Sequence, residues 1–176
     1  MTDKFVAIGA VFFVLADAFA ISAVVSPWWI TFKPLDGSGG MNRYGLTVSC
    51  RQIPDSSDSN EQCGWVEVPY QWKITLVFLI MGIGALTAAL GFLFASFARR
   101  SQSLENAQKI AFFGMVSFCL AALIFPTGFG FEEIGGAAYL LTSTANVGTS
   151  YVLFIMALFF TIIGELFAAR ICAPMI

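Results

Sequence analysis

PWWITFKPLDGSGGMNRYGLTVSCRQIPDSSDSNEQC, residues 27–63, is polar, mixed in charge and rich in turn residues. It lies between two apolar runs, 5–25 and 74–97, each long enough to cross a hydrocarbon core of about 30 Å as a helix. A connection of this length beside a bilayer needs its own means of staying folded. Cys50, Cys63 and the tryptophans 28, 29, 65 and 72 supply one. Joining Cys50 to Cys63 as a disulfide adds about 3 kcal/mol on the chain-entropy account. The bond forms in an oxidising compartment, so this segment is expected to face the lumen or the cell exterior. The alternative is a pair of unrelated free thiols.

Composition sets the class. Of 176 residues, 58% are hydrophobic and 11% charged, against about 25% charged in soluble domains. The chain reads as an integral membrane protein. Net charge is −2 without a basic concentration, which excludes nucleic acid as a partner. Histidine is absent, removing the usual general base and the commonest metal ligand. Cys50, Cys63, Cys119 and Cys172 form no Cys-x-x-Cys pair, so redox and zinc spacings are missing. No enzyme, metal or cofactor is implied.

The first span, 5–25, exceeds the apolar core of a signal peptide and is read as retained. Asp17 sits within it and is expected to point into the bundle, be protonated or be hydrogen-bonded. Ala16, Ala20 and Ala23 beside it are small enough for another helix to approach closely. Beyond span one, Trp29–Phe32 and Arg43–Val48 are β-rich, with a turn at Asp36–Gly40. Pro54–Glu61 reads as a solvated tip leading to Cys63 and a further β-rich stretch, Trp65–Val68. In span two, Gly84, Ala88, Gly91 and Ala95 make a small-residue face, expected to pack within the chain.

A cytosolic loop at 98–108 and its borders hold Arg99, Arg100 and Lys109; with Lys4 and Arg170 they make one side denser in basic residues. That density agrees with the disulfide argument in placing both termini in the cytosol. Span three, 109–125, stops at Pro126, and its Cys119 reads as a small core filler. The second outer segment, 126–149, is unusually apolar: it either packs on the sheet of the first segment, 26–73, or offers a contact surface. Span four, 150–169, contains Glu165 within reach of headgroups or Arg170, and Cys172 follows as a candidate S-palmitoylation site.

Trp29, then Gly45-Leu46-x-x-x-Cys50 and Cys63, resembles the claudin superfamily, where tryptophan stands at the position of Thr47. A narrower resemblance is to the modulator of Smoothened (Mosmo, or attenuator of Hedgehog) family. It rests on Leu15-Ala16-Asp17, Ser26-Pro27-x-Trp29-Ile30, Ala121–Pro126-x-Gly128-Phe129, Glu133-x-Gly135-Gly136-x-x-Tyr139 and Val147-Gly148-x-Ser150-Tyr151. Pro54–Asn60 looks inserted relative to that family, and Glu165 stands where an apolar residue is expected. The fold implied is a claudin-like four-transmembrane-helix bundle with a small extracellular antiparallel β-sheet, forming a single domain.

The function the resemblance implies is that of a non-catalytic adaptor at the plasma membrane and primary cilium. Its partners would be a large single-pass EGF-repeat receptor-like protein and, indirectly, a cytosolic RING ubiquitin ligase and Smoothened, whose surface level it lowers. Partner-binding candidates are Trp29, Gly45, Leu46, Phe129, Glu133, Gly135, Gly136, Tyr139 and Tyr151. Two other readings compete. A claudin-like auxiliary subunit or self-assembling junction protein would recognise its own kind in the membrane plane. A proton-coupled lipid carrier or membrane enzyme would use Asp17.

Overall fold

The computed structural model describes residues 2–33, 41–52, 61–65, 67–98, 102–130 and 136–172. Among them are four long helices: α1 (Thr2–Val25), α2 (Tyr70–Ala98), α3 (Gln102–Ile124) and α4 (Thr149–Cys172). Four stretches along them are long and apolar enough to span a membrane: Val6–Val25, Tyr70–Ala95, Glu105–Gly130, which runs from α3 through the 3-10 turn that follows it, and Thr149–Ala169. Proline marks three of the boundaries. Pro27 disfavours helix at Ser26, so α1 stops there. The Pro69 carbonyl accepts the Trp72 and Lys73 amides at 3.0 and 3.3 Å, which starts α2. Pro126 brings no N–H to the end of α3, and the chain tightens into a 3-10 turn over Phe125–Gly130. α3 begins at Gln102 rather than Lys109, with an exposed Glu105–Lys109 pair at 2.8 Å on its first turns. Much of the 98–108 loop is therefore helix.

Among the described residues there are also five short strands: β1 (Ile30–Phe32), β2 (Asn42–Tyr44), β3 (Val48–Gln52), β4 (Glu61–Trp65) and β5 (Ala145–Val147). They form one sheet in the order β4-β3-β2-β1-β5, antiparallel throughout. Two strand limits differ from the sequence expectation, and β5 realises one of its alternatives, packing of the second outer segment on the sheet. Arg43–Val48 is not one strand: the Gly45 amide donates to the Val48 carbonyl at 2.9 Å, and this tight turn separates β2 from β3. Only glycine fits, because a Cβ there would lie 2.8 Å from that carbonyl and 2.9 Å from Pro27 Cα. The strand expected from Trp65 instead ends there. The segment after α3 contributes β5, whose Ala145–Val147 pair with Phe32–Ile30. The Asp36–Gly40 turn and the Pro54–Asn60 tip lie outside the described residues.

The described residues fall into two compact units. Those within Met1–Ile21, Phe78–Leu120 and Phe154–Ile176 form one, and those within Ser22–Val77 and Ala121–Leu153 the other. In the first unit the helices touch in a closed ring. α1 meets α2 through Asp17 and Thr87, and a Cβ on Gly82 of α2 would strike the Phe118 ring of α3. Phe118 meets Phe154 of α4 edge-on at 5.8 Å. Phe12 and Phe19 of α1 stack on Phe160 at 6.0 and 5.5 Å, and Phe12 on Phe167 at 5.7 Å. The close α2–α3 approach thus runs over Gly82 and Gly114, not over the expected stripe. Gly84, Ala88, Gly91 and Ala95 all face outward, and a Cβ on Gly84 or Gly91 would meet nothing within 4 Å. Small size permits close packing without requiring it, and the facing Phe118 selects the Gly82 side.

Candidate functional site

Trp29 opens the second unit's interior. It is fully buried, its indole N–H donates to the Ala23 carbonyl at 2.7 Å, and its ring lies 4.9 Å from Phe125 and 6.1 Å from Tyr151. Phe125 is the hub. It also stacks on Trp72 at 5.3 Å and Tyr151 at 5.1 Å, and meets Phe129 edge-on at 5.3 Å. Tilted and offset pairs at these separations suit the ring quadrupoles and add to the burial of large apolar area.

Backbone contacts lock this cluster to the sheet. The Ser150 amide donates to the Trp28 carbonyl at 2.9 Å, and the Gly148 amide to the Trp29 carbonyl at 2.8 Å. The Trp28 amide donates to Ser150 Oγ and that hydroxyl to the Ser26 carbonyl, both at 3.2 Å. At Gly148 a Cβ would collide with the Trp28 carbonyl oxygen, so the residue must be glycine for the strands to meet. On the sheet, the Arg43 guanidinium sits 3.7 Å from the centroid of Trp28. Cys50 and Cys63 face each other on β3 and β4, 4.1 Å apart at Cα, and are joined by a disulfide. Adjacent antiparallel strands bring directly opposite residues close enough for such a bond.

The residues expected to bind partners therefore divide. Trp29, Gly45, Leu46 and Phe129 are buried and serve the packing of the chain itself. Tyr151 is half-buried in the aromatic cluster. Gly136 is half-buried, and a Cβ there would meet the Leu140 and Phe129 carbonyls. Tyr139 is 62% exposed. Glu133 and Gly135 lie outside the described residues, as does the side chain of Cys172, whose backbone ends α4. Trp65, expected from sequence to help keep the segment folded, is instead 86% exposed, on a strand, β4, that ends the strand order of the sheet.

The intramembrane carboxyls are both inside. Asp17 is 8% exposed, and its Oδ2 accepts the Thr87 hydroxyl at 2.8 Å. Thr87 was not singled out from sequence, where its one signal is a hydroxyl in an apolar run. Glu165 is also 8% exposed, so it does not snorkel, and its Oε1 lacks a hydrogen-bond partner among the described residues. Its neighbour Gly164 lies against Phe13, where a Cβ would come within 2.7 Å of the ring, so α1 and α4 are close together beside the carboxyl. Cys119 is a free, half-buried thiol in α3.

Four long apolar helices and a small disulfide-tied antiparallel sheet define a multi-pass membrane protein of the four-span class. The model of one family, Attenuator of Hedgehog (Atthog), matches residues 26–174, taking in the sheet and α2 to α4. The chain belongs to that family, whose role is the attenuation of Hedgehog signalling.

Proposed function

We propose that the protein is a non-catalytic adaptor that lowers surface Smoothened. It would do so with an EGF-repeat receptor-like protein in the membrane and a RING ubiquitin ligase in the cytosol. Family membership over residues 26–174 carries this reading. The sheet faces the exterior in it, both termini face the cytosol, and the protein resides in the plasma membrane and primary cilium. Recognition takes place on the β4 edge of the sheet. Among the described residues β4 has one paired neighbour, and it presents Trp65, a residue type that dominates protein contacts when it is accessible. The buried candidates Trp29, Leu46 and Phe129 act by holding that sheet in place.

The test is affinity purification of the tagged chain in mild detergent, wild type against Trp65→Glu, with surface Smoothened measured in the same cells. The expected result is an EGF-repeat receptor-like protein co-purifying with wild type, lost from a folded, disulfide-bonded variant, together with a rise in surface Smoothened. Recovery of only the chain itself or of a channel would overturn the adaptor reading in favour of a self-assembling or auxiliary subunit.

A further inference from the structure

Tyr139 combines three features that belong together. It is exposed, it adopts φ 63°, the left-handed region that a bulky residue rarely enters, and it binds both the last turn of α3 and the 3-10 turn after it. Its amide donates to the Pro126 carbonyl at 2.9 Å, while its phenol donates to the Leu123 carbonyl at 3.1 Å. The second carbonyl is among the last four of α3, which have no partner of their own within the helix. The backbone of Tyr139 is thus held at the level of Pro126, and the ring reaches back one turn, about 4.5 Å along the axis at 1.5 Å per residue. That direction is into the span, since Leu123 lies within Glu105–Gly130.

The surface it joins is apolar and exposed, within a stretch of membrane-spanning length. Leu123 is 61% exposed, in line along α3 with the exposed Leu120 and Val116. Next to Tyr139, Leu140 is 68% exposed, and Ala137 pairs with Leu140 to close the turn. Residues 136–149 carry no charge, so entry into the headgroup region leaves no ion to desolvate. A tyrosine ring with an apolar body and a polar tip is the residue type enriched at that depth. The phenol also covers a helix-end carbonyl where water is scarce and an unpaired group is costly.

We infer that the Ala137–Leu140 turn is a membrane foot: it seats Tyr139 and Leu140 in the headgroup–acyl boundary of the leaflet on the sheet side. The occupant of this surface is the bilayer, continuous with the lipid-facing side of α3. The positive φ at Tyr139 is the conformation that turns the ring down toward Leu123.

Spin labelling in phosphatidylcholine nanodiscs tests this on the purified full chain, independently of any protein partner. With Cys119→Ala and Cys172→Ser as background, nitroxides are placed by Leu140→Cys and, as a second site in the same turn, Ala138→Cys. Leu123→Cys gives the lipid reference and Gln62→Cys, on exposed β4, the aqueous one. Collision rates with oxygen, which concentrates in lipid, and with a water-soluble nickel chelate are compared. Oxygen is expected to dominate at position 140, as at 123, with position 138 between the two references. Dominance of the nickel chelate at 140, at the level of position 62, would overturn the foot and leave the turn as a water-exposed surface open to a protein partner.

Discussion

Replacing either buried tryptophan with phenylalanine removes similar volume, but the two changes should differ sharply in cost. Trp29 and Trp72 are both fully buried and both pack on Phe125, at 4.9 and 5.3 Å. Trp29→Phe also removes a 2.7 Å hydrogen bond and strands the Ala23 carbonyl in the last turn of α1. Trp72 Nε1 has no hydrogen-bond partner among the described residues, so Trp72→Phe removes a buried donor that was already unpaired. A buried bond contributes about 1 kcal/mol net, and an orphaned partner costs about 1–3 kcal/mol more. Trp29→Phe is therefore the more destabilising by about 2 kcal/mol, roughly 30-fold in the unfolding equilibrium. Titration with SDS in mixed micelles, followed by far-ultraviolet circular dichroism, measures both variants without relying on tryptophan emission. Equal losses, or a larger loss for Trp72→Phe, would refute the assignment of that hydrogen bond as a main support of the joint.

Other outcomes follow from single contacts. Reductant should lower the unfolding midpoint of wild type, and the Cys50→Ser, Cys63→Ser double variant should show the same loss, about 3 kcal/mol for a separation of 13, with no further response to reductant. Gly148→Ala should abolish the monodisperse detergent-purified form, because the methyl group meets the Trp28 carbonyl; Gly84→Ala, with nothing within 4 Å, should leave it intact or stabilise α2 by up to about 1 kcal/mol. Asp17→Asn keeps an oxygen to accept the Thr87 hydroxyl and should shift stability by less than about 1 kcal/mol, with surface Smoothened unchanged. A collapse of function at preserved stability in that variant would favour proton chemistry over an adaptor.

The helices were legible because an uninterrupted apolar run of span length has few alternatives, and proline punctuates their ends. The Cys50–Cys63 bond was legible from the chemistry of a long polar connection beside a membrane, and the structure forms it. Strand limits were not. Gly45 interrupts a β-rich run at a turn whose need for glycine comes from Pro27, eighteen positions earlier. β5 is three residues with no alternation to read, and it exists because β1 offers it an edge. Aromatic residues near a membrane surface can be core or contact, and composition does not separate them: Trp29 and Phe129 went inside, Trp65 stayed out. The small-residue stripe of α2 failed for the same reason, since lipid and a neighbouring helix are equally apolar surroundings.

The position of β1 between β2 and β5 also sets a timetable for synthesis. Its neighbours in the sheet are β2, made almost at once, and β5, whose Asn146 carbonyl is bonded by Thr31 across 115 residues. At about 5–20 residues per second, roughly 6–23 s of translation separate the two edges. During that interval β1 has a bare side while the ribosome delivers α2 and α3, and the gap closes only when α4 has begun to emerge. A nascent chain that stalls before Ala145 would keep that side open, giving quality-control machinery a direct mark of an unfinished molecule.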